Sequence, residues 1–271
     1  MIHAPDAARP LSVAVSPCPN DTFIFAAWVL GLAPGPQARF HWADVQRLNQ
    51  DAAAGRFDVV KLSAAAALAL EERYAILPCG GAFGTATGPK LVARPDSPQA
   101  PATVAVPGLD TTAFAVLRAA LGPGFTPLPM RFDRIAAAVA RGRADAGLLI
   151  HETALVPERH GLTLRLDLGA WWAGHTQGAP LPLGVIAVRR GLPPAARQGA
   201  AEAIRASLAL ARARREAVWP LVRALARELD DPTLEAHIAA YVDDRSLDMG
   251  PTGRAALETL RALVRPGPAR P

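Results

Sequence analysis

The sequence predicts an α/β protein built as two lobes with a cleft between them. Three observations carry that expectation. Short apolar runs alternate with alanine-rich helical stretches through the first two-thirds of the chain, the alternation from which largely parallel sheets are built. Two such series occur, joined by the proline-rich stretch RPDSPQAP that begins at Arg94. Each series opens with a strand running into a polar turn, SPCPNDT from Ser16 and PGLDTT from Pro107. At 271 residues and 51% hydrophobic, the chain can fill one large core or two modest ones.

Taken in order, LSVAVS from Leu11 reads as the first strand. TFIFAAWVLG from Thr22 reads as a helix capped by Asp21 and ended by Gly31. RFHWADVQ is a second strand, LNQDAAAGRF a short helix stopped at Gly55, and DVVKLS a buried strand. AAAALALEERY is helical, and YAILPCGG closes the series with a turn. After the strand in PKLVARPDS, the second series runs TVAVPG, TTAFAVLRAAL, TPLPMRF, the helix IAAAVARGR and the strand AGLLIHE. TLRLDLG, the aromatic segment AWWAGH and the strand PLGVIAVRR follow. From about Pro193 the chain is alanine- and arginine-rich helix with a break near 230–232, and RPGPARP is a frayed tail. PLGVIAVRR can return the chain to the first lobe, so the expected lobes are 1–92 plus 188–271, and 93–187.

The formal net charge is +5, and of 29 basic residues all but Lys61 and Lys90 are arginines. With so much alanine and proline, this pattern reads as a codon bias. No interleaved aromatics or recognition motif accompany it, so nucleic acid is not an expected partner. Arg212, Arg214, Arg215, Arg223 and Arg227 read as a solvated helix face. Cys18 and Cys79 have neither a disulfide framework nor metal-ligand spacing around them. No apolar run approaches the roughly 18 residues of a membrane span, and the first residues lack the basic and apolar regions of a secretory signal. The expectation is a soluble cytoplasmic protein, with its oligomeric state open.

In open α/β sheets, ligands bind outside the carboxyl ends of strands, at helix starts. SPCPNDT, KLS, PCGG, PGLDTT and LIHE all fall at such ends and would converge on one cleft. His151, directly after AGLLI, would stand there on a rigid backbone. It is either a general base, with an imidazole that titrates near neutrality, or a local helix cap. Glu152 either orients it or is a first-turn carboxylate. Thr111 and Thr112 would seat a carboxylate or phosphate with their hydroxyls and the first amides of a helix, or simply cap that helix. Lys61, Leu62 and Ser63 share this character, and Lys61 is a lysine where the chain otherwise uses arginine. Trp171 and Trp172 either wall the cleft or pack as core. His151 and Glu152 do not extend to a zinc-binding H-E-x-x-H, because Leu155 takes the last position. Walker, dinucleotide and nucleophile-elbow motifs are missing too, so the residues point to no metal or cofactor.

Seven segments in one order add a resemblance: SPCPNDTFIF, VVKLS, VAVPG with TTA, RFDRI, GLLIHE, DLGAWW and LPLG. Together with YVDDRSLDMG, they make the chain from about Leu11 to Leu247 similar to the 1,4-dihydroxy-6-naphthoate synthase family of the futalosine route to menaquinone. The resemblance implies the bilobed fold of type II periplasmic binding proteins. It implies a lyase that converts cyclic dehypoxanthinylfutalosine, a carboxylated small molecule, to 1,4-dihydroxy-6-naphthoate without a cofactor. It implies His151 as catalytic base, and substrate contacts at Lys61, Leu62, Ser63, Thr111, Thr112 and Ala113. On that reading the proline-stiffened SPCPNDT turn walls the cleft and directs Ser16, Asn20 and Thr22 towards the ligand. Two alternatives stand beside it: a chorismate dehydratase-like enzyme of the same route, and a binding protein for small anions with no chemistry of its own.

Overall fold

Apolar runs of the first series form strands because their β-branched residues fill both faces of a covered sheet. β1 (Leu11–Val15), β2 (Ala38–Trp42) and β3 (Val59–Ser63) lie parallel in the order β2-β1-β3. They are joined by α1 (Pro19–Val29) and α2 (Val45–Ala53), and β3 is buried along its whole length. α3 (Ala64–Ala69) leads to β4 (Tyr74–Ile76) and β5 (Ala82–Gly84). The sequence reads as a turn here, because three residues are too few for alternation to show. The computed structural model describes residues 9–85, 87–154, 160–226 and 230–264. The RPGPARP tail, Arg227 and the side chain of Glu152 lie outside the described residues.

The second sheet is assembled from β6 (Lys90–Ala93), β7 (Thr103–Val106), β8 (Thr126–Pro129), β9 (Ala146–Leu149) and β10 (Thr163–Asp167), in the order β10-β6-β9-β7-β8. α4 (Thr112–Leu121) and α5 (Ile135–Ala140) connect its parallel strands. α6 (Leu168–His175), which contains the aromatic segment, precedes β11 (Leu181–Arg189). β11 returns to the first sheet and pairs antiparallel with β3, from Gly184 opposite Ser63 to Val188 opposite Val59. Its other edge pairs with β4 and β5. A strand belongs to the sheet that holds its ladder. The chain therefore changes sheets between Gly84 and Lys90 and again between His175 and Leu181, ahead of the boundaries at 92/93 and 187/188 expected from the sequence.

The C-terminal stretch is five helices: α7 (Pro194–Ala213), α8 (Arg215–Leu225), α9 (Asp231–Tyr241), α10 (Asp244–Leu247) and α11 (Gly250–Val264). Asp230 caps α9 by accepting from the Thr233 amide at 2.8 Å, and Asp243 forms a capping box with Ser246 at α10. α7, α8 and α9 pack on α1, while α11 lies against α3, β11 and α4. Three arginines of this stretch meet acids of its own helices: Arg212 with Asp244 and Arg215 with Glu235, each at 3.1 Å, and Arg223 with Asp231.

One buried carboxylate ties the start of β1 to the start of β3. Asp58, 1% exposed, accepts from Arg9 at 2.6 and 2.8 Å, and from the amide and hydroxyl of Ser12 at 2.9 and 2.8 Å. The Arg9 hydrogen bond, reinforced by Ser12, outweighs burial and lowers its pKa to about 2. The stabilisation is therefore complete above the ordinary carboxylate pKa of about 3.9 and fades as the pH falls through about 2. Replacing Asp58 by Asn should cost roughly 2 kcal/mol at neutral pH and far less near pH 2. Urea unfolding of both proteins at the two pH values checks this.

Candidate active site

The carboxyl ends of β1 and β3, the start of α4, the turn after β9 and one face of α9 surround a single cavity of about 640 Å³, its mouth included. Ser16, Asn20, Lys61, Ser63, Thr111, Thr112, Ala113 and His151, all expected from the sequence, line it. Leu62 and Thr22 do not. Leu62 alternates with Lys61 and Ser63 along β3 and points into the core, 0% exposed. Thr22 is likewise fully buried, and its hydroxyl has no hydrogen-bond partner among the described residues. Trp172 is core, donating from its indole to the Ala179 carbonyl at 2.9 Å, and Trp171 stacks on His175.

On the cavity lining the SPCPNDT turn is organised by Asp21, which stands there beside Ser16 and Asn20. The sequence suggests this residue as the cap of α1, but the cap position is Cys18, which makes no side-chain capping bond, and Pro19 opens the helix. Asp21 instead ion-pairs with Lys61, both side chains nearly sealed from solvent. It also accepts from the Ser16 hydroxyl at 2.5 Å and from the Asn20 amide at 2.9 Å. Lys61 reaches it across Gly184 of β11, where a Cβ would lie 2.7 Å from the lysine Cε. Ser63 is held by Asn49, whose side chain donates to its hydroxyl and accepts from its amide, each at 3.0 Å.

At the start of α4 both threonine hydroxyls are already engaged. Thr111 donates to the Gly108 carbonyl at 2.8 Å and accepts from the Phe114 amide at 3.2 Å, an ordinary cap. Thr112 donates to the Leu183 carbonyl at 3.0 Å and accepts from the Ala65 amide at 3.1 Å, so it bridges the lobes. What the helix start offers a ligand is therefore its first amides and the positive end of its dipole, not the hydroxyls expected from the sequence.

His151 projects from a backbone with φ of +57°. A non-glycine residue seldom adopts this left-handed conformation, and it persists only when its surroundings impose it. Those surroundings are the Phe132 ring, edge-on at 4.8 Å, and Cys18, whose sulfur lies 3.4 and 3.6 Å from the two ring nitrogens. The ring of His237 on α9 is 6.4 Å away and packs in turn on Tyr241 at 4.9 Å. Burial, with His151 and Lys61 nearby, lowers the His237 pKa to about 3, so this imidazole is neutral at physiological pH. His237, Tyr241, Val45, Leu183 and Gly184 line the cavity without having been expected there. His237 left one sequence signal: it shares the i, i+3, i+4, i+7 face of α9 with Leu234, Ile238 and Tyr241. Among the described residues no group of three His, Cys, Asp or Glu side chains is placed to hold a metal ion.

The buried pair makes a stability prediction. Lys61→Met should destabilise the protein by about 3 kcal/mol or more by stranding Asp21, and adding Asp21→Asn should recover part of that loss. A double-mutant cycle by chemical denaturation measures both terms.

A family described as menaquinone biosynthesis matches residues 11–266. A protein of Thermus thermophilus named 1,4-dihydroxy-6-naphthoate synthase is 43% identical over 95% of this chain and 97% of its own length. One of the same name from Streptomyces coelicolor is 40% identical over 93% and 92%. Protein AF1704 of Archaeoglobus fulgidus, a crystal structure, superposes with a TM-score of 0.90 at 32% identity, covering 95% of this chain and 97% of that one. The Candida albicans CA3427 product, described as having the generic periplasmic binding protein fold, superposes with a TM-score of 0.70 over 96% and 92%. At 12% identity that likeness concerns the fold alone. No helix among the described residues is long and apolar enough to cross a membrane.

Proposed function

The chain belongs to the menaquinone biosynthesis family, and from that premise we propose that it works in the cytoplasm as a 1,4-dihydroxy-6-naphthoate synthase. The substrate on this reading is cyclic dehypoxanthinylfutalosine, bound by its carboxylate at the first amides of α4. Thr111, Thr112 and Ala113 line the cavity at that helix start, and Ser63 stands on the same lining. A helix start favours an anion because its amides and dipole both face it.

His151 is the general base. The observation that carries the assignment is its presentation: a partly buried imidazole on the cavity wall, held by a left-handed backbone that its neighbours impose. It takes a proton from the bound precursor, and the electron pair released drives elimination of the sugar-derived fragment. Aromatisation of the new ring makes the step favourable, so the reaction class is a carbon–carbon lyase that needs no cofactor. Lys61 is not a second base, because its ammonium is committed to Asp21. It positions the turn instead. The apolar parts of the lining, Val45, Ala82, Ile150 and Leu183, keep water from the reacting atoms.

Purified protein should form the naphthoate from the cyclic precursor, and His151→Ala should lower kcat by at least about 10²-fold, the scale of general-base catalysis. Product formation by the folded variant at the wild-type rate would remove His151 from the chemistry. No product from the folded wild type would remove the reaction itself.

A further inference from the structure

His237 carries a buried nitrogen that no described residue satisfies. The residue is 1% exposed and lines the cavity, and its Nδ1 has no hydrogen-bond partner among the described residues. Buried acceptors without partners are rare and destabilising, and each one calls for a reason. Its other nitrogen, Nε2, lies 3.0 Å from Oδ1 of Asn20.

The network around Asp21 fixes which nitrogen holds the proton. Paired with Lys61, Asp21 is ionised and can only accept. Asn20 must then turn its NH₂ to Asp21, the 2.9 Å contact, which leaves its carbonyl oxygen facing His237. An oxygen there requires a donor, so the proton sits on Nε2. Nδ1 is left as a bare lone pair, and the low basicity of the buried ring keeps it so.

We propose that Nδ1 of His237 is a fixed acceptor for a hydroxyl group of the substrate, set on the α9 wall of the cavity and apart from the carboxylate seat at α4. A bare lone pair repels an anion and welcomes a neutral O–H donor. The two walls thus differ in kind: helix amides for the charged group, an imidazole acceptor for the hydroxyl. Because Asn20, Asp21 and Lys61 set the tautomer, the ion pair on the cavity lining helps determine what the cavity recognises. His237 is a binding and orienting residue on this account and takes no proton in the reaction. The inference rests on the reaction proposed above for the identity of the substrate, but not for the state of the ring.

Two substitutions separate the halves of the idea. His237→Gln keeps a donor towards Asn20 and removes the acceptor at the Nδ1 position. His237→Asn keeps a polar atom at that position and gives up the reach to Asn20. With the cyclic precursor, His237→Gln should raise KM about tenfold or more and change kcat much less, while His237→Asn should raise KM less. An unchanged KM in folded His237→Gln would overturn the proposal, as would a loss in kcat alone.

Nitrogen NMR of ¹⁵N-histidine-labelled protein tests the ring itself, without altering it. In the free protein Nε2 should carry the proton and Nδ1 none. Cyclic precursor added to the His151→Ala variant, which should hold it without turnover, should move the Nδ1 resonance and leave Nε2 protonated. A proton on Nδ1, or an Nδ1 signal indifferent to saturating precursor, would refute the acceptor. A wild type that neither binds nor converts the precursor would defeat the reaction instead, and the free-protein spectrum would still decide the tautomer.

Discussion

The ion pair between Asp21 and Lys61 is the constraint on which the site depends. Two opposite charges with almost no access to water need further hydrogen bonds to hold them in place. Ser16 and Asn20 supply those of the carboxylate, which explains much of the odd composition of the SPCPNDT turn. Both also line the cavity. The carboxylate they hold fixes the first turn of α1 against β3. The lysine stem passes close over the backbone of Gly184, where any Cβ would lie 2.7 Å from its Cε.

Around that pair the two lobes are joined as one body. The largest hydrophobic cluster runs from Leu62, Phe83 and Val185 of the first lobe to Leu91, Val104 and Leu148 of the second. Polar bonds cross the cleft beside it: Thr112 to Leu183, Gln46 to Asp110 at 2.7 Å, and Asn49 to the Asp110 carbonyl at 3.3 Å. The same threonine and asparagine that shape the cavity lining therefore also hold the lobes together. Recognition and closure share their atoms.

The α/β alternation, the two series and most strands are legible in the sequence, because short runs opened by β-branched residues, such as VVKLS, recur between alanine-rich helical stretches. Four of the five strand ends expected to meet were legible too, since topology places them, whereas no residue of PCGG, 78–81, lines the cavity. Three things were hidden. β4 and β5 are too short for a period. The orientation of Leu62 and Thr22, away from the cavity, depends on the facing of β3 and α1, which adjacency to Lys61 and Asp21 does not reveal. And the C-terminal wall comes from a helix whose histidine sits on an apolar face like any core residue. Motifs near a strand end announce themselves through unusual turns, whereas a side chain that serves from the middle of a helix leaves only a polar letter in an apolar stripe.

The late arrival of β11 has a consequence for how the chain is made. Its place in the first sheet, between β3 and the short strands β4 and β5, is empty until residues 181–189 leave the ribosome. By then the whole second sheet, from Lys90 to Asp167, has already emerged. The lobe whose residues are contiguous can therefore pair its strands during synthesis, while the one that begins the protein must wait, its apolar faces half covered. α9 comes later still. The cavity thus gains its α9 wall only after both sheets have been translated, and a nascent chain that stops short of α9 holds the base without the wall that would face its substrate.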